Sequence, residues 1–168
     1  MADAGPNLEK WVTKLPKEER MDFMLNMLNQ IVIGLKKIHA MGYTHSDLKT
    51  ANICTRANHD GSLRFTLIDF GMSAKVSKLG ESYSSKELRG NLMFASIDHI
   101  LRKRASQIDE LYSIMCVAYY FIFGSLPWLK TIEYLHDKQQ GYDRRHHINY
   151  YQRDRYIKLR ENKRQYFD

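Results

Sequence analysis

Cysteine is scarce: there are two in 168 residues, Cys54 and Cys116, without paired spacing and each in an apolar segment. That excludes a disulfide framework, and the two read as reduced, buried thiols of an intracellular protein, in cytoplasm or nucleus. Long apolar runs are lacking too. No stretch of about 18 uncharged apolar residues occurs, so no membrane span is expected. Residues Met1 to Lys10 show no basic-then-apolar order and hence no secretory signal. There are no repeats and no domain linker. Acids are outnumbered, 19 against 26 Lys and Arg, for a net charge of +7. Much of the excess is local, since Arg144 to Asp168 holds eight Lys/Arg against three acids. A solvated basic helix is the simplest account of that tail. Nucleic acid, an acidic membrane surface or an acidic protein substrate would also attract it.

With 43% hydrophobic and 27% charged residues, the chain fits one globular domain or a large piece of one. A short helix is expected over Leu8 to Leu15, stopped by Pro16, because a residue before proline avoids the α region. From Glu18 to Met41, Met21, Met24, Leu25, Leu28, Val32, Leu35 and Ile38 recur every three or four residues. That spacing predicts a long amphipathic helix, with Gly42 placed to end it. Ile53 to Thr55 and Leu63 to Ile68, on either side of Asn58-His59-Asp60-Gly61, predict a two-stranded hairpin. Gly71 to Gly90 has no periodicity and reads as a loop. A second helix, from about Gln107 to Phe123, is apolar on nearly all sides after Ile114 and is expected to be buried. Gly124-Ser125-Leu126-Pro127-Trp128 ends it, and a charged helix is expected from about Tyr150 to Gln165. The fold class is therefore mainly α with a small β-hairpin.

Two acid-bearing loops flank the hairpin: His45-Ser46-Asp47-Leu48-Lys49-Thr50-Ala51-Asn52 before it and Asp69-Phe70-Gly71 after it. A hairpin returns its ends to one place, so Asp47, Asn52 and Asp69 should meet. Two carboxylates and an amide are hard oxygen ligands, suited to Mg²⁺ with an attached phosphate chain. Lys49 adds a cation that can offset charge on a transferring phosphoryl group.

These segments resemble the His-Arg-Asp catalytic loop (residues 45–52 here) and the Asp-Phe-Gly metal motif (69–71) of protein kinases. The activation segment would run over 69–98. Gly5-Pro6-Asn7-Leu8-Glu9, Asn91-Leu92-Met93-Phe94-Ala95-Ser96-Ile97-Asp98 and Gly124-Ser125-Leu126-Pro127-Trp128 are similar to segments of the casein kinase 1 and vaccinia-related kinase family. The likeness runs from about Gly5 to Lys130, and more loosely to Arg160. It implies a partial protein-kinase-like fold, the C-terminal lobe, over 1–168. It implies ATP as substrate with Mg²⁺, and transfer of the γ-phosphoryl to Ser or Thr hydroxyls. By the same resemblance Asp47 is the base, Lys49 lies by the γ-phosphate, and Asn52 and Asp69 hold the metal and nucleotide. Phe70 and His45 are packing residues on that pattern.

The departures are informative. Ser46 stands where many kinases place Arg, and vaccinia-related kinases Gly; without the guanidinium a phosphorylated loop has no obvious bidentate partner. Glu110 occupies the place of an Asp that braces the catalytic loop in the family, so its extra methylene is expected to loosen that loop unless Asp109 substitutes. No glycine-rich phosphate loop and no Val-Ala-Ile-Lys strand occur in these 168 residues, so the ATP-clamping N-lobe is expected to be absent and ATP binding weak. The lobe face left without it should carry exposed apolar side chains. Two readings stay open: a casein-kinase-1-type enzyme acting on a protein substrate, and a truncated mimic that binds a partner kinase or its substrate. Nucleic-acid binding through Arg144, Arg145, Arg153, Arg155, Arg160 and Arg164 with Tyr150, Tyr151 and Tyr156 is the weakest of the alternatives.

Overall fold

A computed structural model describes residues 4–12, 14–76, 90–102, 105–130, 158–159 and 161–165. Two compact units are distinguished, Met1–Gly124 and Ser125–Asp168. Among its described residues the first holds four α-helices, α1 (Glu9–Val12), α2 (Arg20–Ala40), α3 (Ile97–Arg102) and α4 (Gln107–Phe123), and four short strands. Strands β2 (Ile53–Ala57) and β3 (Leu63–Leu67) form the expected hairpin, with Ile53 opposite Leu67 and Ala57 opposite Leu63. Strand β1 (Tyr43–Thr44) pairs antiparallel with β4 (Ala74–Lys75). The result is helix-rich with two small antiparallel sheets.

Both long helices end for local reasons. Helix α2 closes at Met41, whose N–H reaches back to Lys37, Ile38 and His39 carbonyls, and Gly42 follows at φ 79°. Such left-handed backbone suits glycine. Helix α4 opens on a capping box: the Ser106 hydroxyl accepts from Asp109 N–H while the Asp109 carboxylate accepts from Ser106 N–H. It closes on Gly124 at φ 76°.

The buried stripe of α2 is not the one its periodicity first suggests. Phe23, Met24, Met27, Ile31 and Leu35 are buried, whereas Met21 and Leu25 are exposed. The helix carries two overlapping apolar stripes at the same spacing, and the one with the aromatic residue is buried. Phe23 stacks on Phe121 at 5.3 Å between centroids, meets Phe65 edge-on at 5.1 Å and lies 5.7 Å from Trp11. That cluster joins α1, α2, β3 and α4, and aromatic pairs contribute beyond their area. Helices α2 and α4 run antiparallel, since His39 meets Glu110 at one end and Arg20 meets the Phe121 carbonyl at the other. The expectation that α4 is buried on all sides is corrected. Ile114, Val117, Ala118 and Phe121 are buried, but Met115 is 58% and Phe123 63% exposed, because neighbours cover one side only.

Arg20, whose role the sequence does not signal, ties three segments: Nε donates to Leu15 O, Nη2 to Val12 O at 2.6 Å, and Nη1 to Phe121 O. The segment before α1 lies along the hairpin. Leu8 N–H donates to Ile53 O at 2.9 Å, Thr55 N–H to Pro6 O at 2.8 Å, and Asn7 bridges Cys54. Both cysteines are buried and form no disulfide. Among the described residues no helix is long and apolar enough to cross a membrane. In the second unit Trp128, Leu159 and Lys163 are buried, with Lys163 Nζ 4.6 Å from the Trp128 ring centroid. Residues 158–159 and 161–164 are helical. The rest of the charged helix expected from Tyr150, the basic cluster before it and residues 77–89 of the loop lie outside the described residues.

Candidate active site

The site is assembled by the turn between α2 and the hairpin. His45, Ser46, Asp47, Leu48, Thr50 and Asn52 are all buried, so this polar segment must satisfy its own groups. It does so partly within itself. Asn52 Nδ2 donates to Asp47 O at 2.9 Å and to Asp47 Oδ2 at 3.0 Å. Lys49 Nζ reaches the same Oδ2 at 2.7 Å and remains partly exposed. Both contacts fall on Oδ2, so Oδ1 is left without a hydrogen bond to the described residues. The amide nitrogen of Asn52 is likewise committed, which leaves its carbonyl oxygen as the atom able to meet a cation.

The hairpin returns the chain to this loop. Ile68 N–H donates to Asn52 O at 3.0 Å. His45 Nδ1 accepts from Asp47 N–H at 3.3 Å, which leaves the proton on Nε2 to be donated to Ile68 O at 2.9 Å. Asp69 comes next, exposed and left-handed at φ 61°, with Oδ1 accepting from Gly71 N–H at 3.3 Å. Asp and Asn tolerate that backbone better than other side chains. Thus Asp47, Lys49 and Asn52 are joined directly. Asp69 is linked to them through the Ile68 backbone, with no side-chain bond to the three among the described residues. Phe70 lies 4.8 Å from the His45 ring and is 49% exposed.

Do these residues fit a divalent cation? No group of three His, Cys, Asp or Glu arranged for a metal occurs among the described residues. Mg²⁺ bound with nucleotide needs no such cage, since one or two protein oxygens, phosphates and water complete its shell. The Asn52 carbonyl and the Asp69 carboxylate are the right donor type. They fit.

The brace behind the loop departs from expectation. Glu110 does not loosen it, for Oε1 accepts Ser46 N–H at 2.6 Å and Oε2 meets His39 Nε2 at 2.7 Å. Asp109 does not substitute; its carboxylate binds the Ser96 and Ser106 hydroxyls instead. Ser46 sits at φ 67°, and its hydroxyl pairs with Thr44 Oγ1 at 2.9 Å. That left-handed backbone is one a serine rarely adopts. Gly90, at φ 106°, packs so closely that an added Cβ would lie 2.2 Å from Ser46 O. On the other flank Thr50 Oγ1 donates to Glu9 at 3.1 Å and Leu8 N–H to Thr50 O at 3.2 Å. His39, Gly90 and the Glu9–Thr50 tie were not legible beforehand.

Comparison with known proteins agrees with this geometry. The protein kinase domain family model matches residues 5–165. A probable serine/threonine-protein kinase of Dictyostelium discoideum is 36% identical over 115 residues, 66% of this chain and 22% of the relative. The chain therefore spans about a fifth of the length of that curated relative. A match over nearly its whole length, on a loop that joins Asp47, Lys49 and Asn52, shows that the chain belongs to the protein kinase domain family.

Proposed function

We propose that this chain is the C-terminal-lobe part of a serine/threonine protein kinase of the casein kinase 1 type, with the whole of 1–168 forming one partial kinase domain. The observation that carries the reading is the direct union of Asp47, Lys49 and Asn52 on a loop stitched to Ile68-Asp69. In this reading the Oδ1 atom of Asp47 faces a substrate hydroxyl and accepts its proton. Asn52 Nδ2 and Lys49 Nζ hold the carboxylate in one orientation, which is the positioning such chemistry depends on. Lys49, still partly in solvent, turns to the phosphoryl group as charge develops there. Asn52 Oδ1 and Asp69 would hold Mg²⁺, which would supply positive charge to offset that of the ATP phosphates. The protein substrate and ATP are the partners this reading requires.

The exposed Phe70 and Met72 favour a second reading. There the same fold serves as a kinase mimic, docking on another kinase or its substrate through that apolar face. Mg·ATP titration by thermal shift separates the two. At about 100 times its Kd a ligand adds about 2.7 kcal/mol of stability, so the wild type should shift and Asp69→Ala should not. No shift in either favours the mimic.

A further inference from the structure

We propose that the exposed face of α4 is an interface through which two copies of this chain pair about a two-fold axis. Five large side chains line that face at spacings of three and four: Ile108 at 71% exposed, Leu111 at 40%, Met115 at 58%, Tyr119 at 44% and Phe123 at 63%. They run about 22 Å along the helix. The Tyr119 and Phe123 rings lie against each other, 4.5 Å between centroids, and present one aromatic surface. Charge is missing from the stripe. The two acids of α4, Asp109 and Glu110, are each 2% exposed, and Gln107 is the one exposed residue of the helix outside the stripe. On α2, by contrast, Met21, Leu25 and Ile33 are separated by exposed Asp22, Asn26 and Asn29, and such scattered apolar side chains are ordinary surface.

The area fits a small but specific contact. The five side chains present on the order of 500 Å² of apolar surface, the size of patch that marks an interaction site. Two such faces together bury about 1,000 Å², the least that a specific interface needs. The stripe is also complementary to itself. Isologous pairing requires that where residue i meets j, j meets i. With the axis at Met115, antiparallel α4 helices set Leu111 against the partner's Tyr119 and Ile108 against the partner's Phe123. The aliphatic half thus meets the aromatic half, and Met115, an adaptable side chain, meets its own copy. The net charge of +7 on each chain opposes association, but no like-charged pair falls within the contact.

Nothing in this pairing draws on phosphoryl transfer, so it stands or falls apart from the kinase reading. The test is sedimentation equilibrium on the full 168-residue chain. A dimer should form with a Kd in the micromolar range, as suits an interface at the small end of the range. Met115→Glu places two carboxylates across the axis and should raise that Kd about tenfold or more. Its circular dichroism should match the wild type, because residue 115 is 58% exposed. Added salt, which screens the +7 charges, should strengthen the dimer. Met115→Cys should cross-link to its own copy under mild oxidation, whereas Ile33→Cys on α2 should not. A chain that stays monomeric to about 100 µM overturns the proposal, whatever else covers the stripe. So does a dimer that Met115→Glu leaves intact or that salt dissolves. Should Met115→Glu not fold, wild-type sedimentation and the two cysteine variants decide alone.

Discussion

Adding one methyl group at Gly90 should be among the most damaging small changes available, and adding one at Gly34 should help. At Gly90 the backbone φ of 106° is strained for any L side chain, and the new Cβ would stand 2.2 Å from Ser46 O and 3.2 Å from His99 Cε1. The first obstacle is backbone, so no rotamer change relieves it. Strained φ costs about 1–3 kcal/mol and overpacking about 1–3 more, together about 4 kcal/mol in the middle of the range. For a chain of this size each kcal/mol moves Tm by about 2–4 °C, so Gly90→Ala should lower it by about 8–16 °C. Gly34 lies within α2, its φ is unexceptional, and an added Cβ there meets nothing within 4 Å. Gly34→Ala should therefore raise stability by about 0.5–1 kcal/mol. Thermal unfolding followed by circular dichroism reads both. A loss below about 1 kcal/mol for Gly90→Ala would refute the packing of that segment against the catalytic loop, and a destabilised Gly34→Ala would refute the open face of α2.

Three further outcomes are expected. Arg20→Met should cost about 2–4 kcal/mol in urea unfolding, because three carbonyls, two from the segment just before α2 and one from the end of α4, lose a charged donor. Phe23→Ala, at the centre of the Trp11, Phe65 and Phe121 contacts, should cost about 3–5 kcal/mol by the same assay and leave the chain barely folded. Burial, with Cys116 beside it, holds the Tyr112 phenol above its ordinary range. A raised phenol contributes stability below about pH 10 that is lost as the pH rises beyond it. Ultraviolet titration between about pH 9 and 11 should therefore show the same tyrosine ionisation in wild type and Tyr112→Phe.

How much of this was legible in the sequence follows from the range of each interaction. Local signals served well. Gly42 and Gly124 end α2 and α4 in left-handed backbone, and the Asn58 to Gly61 turn joins the two strands anticipated around it. The candidate loop drew attention because His45 to Asn52 groups its polar side chains in eight consecutive residues. What escaped was long-range. Which of two equally spaced apolar stripes α2 buries depends on Phe65 and Phe121, far away in the chain. That Glu110 rather than Asp109 reaches Ser46 depends on how α4 is rotated, and His39 and Gly90 matter through contacts that no spacing announces. The exposed side of α4 was missed for the same reason, since hydropathy records a residue's preference and not whether a neighbour is present.

The central claim is that Asp47 and Asp69 serve one phosphotransfer site. Its most direct test is transfer of radiolabelled γ-phosphoryl from ATP to a protein substrate, with wild type beside Asp47→Asn and Asp69→Ala, each verified as folded. The account predicts label incorporated by the wild type and lost in both variants. Label that survives either substitution, or none from the folded wild type, would contradict it.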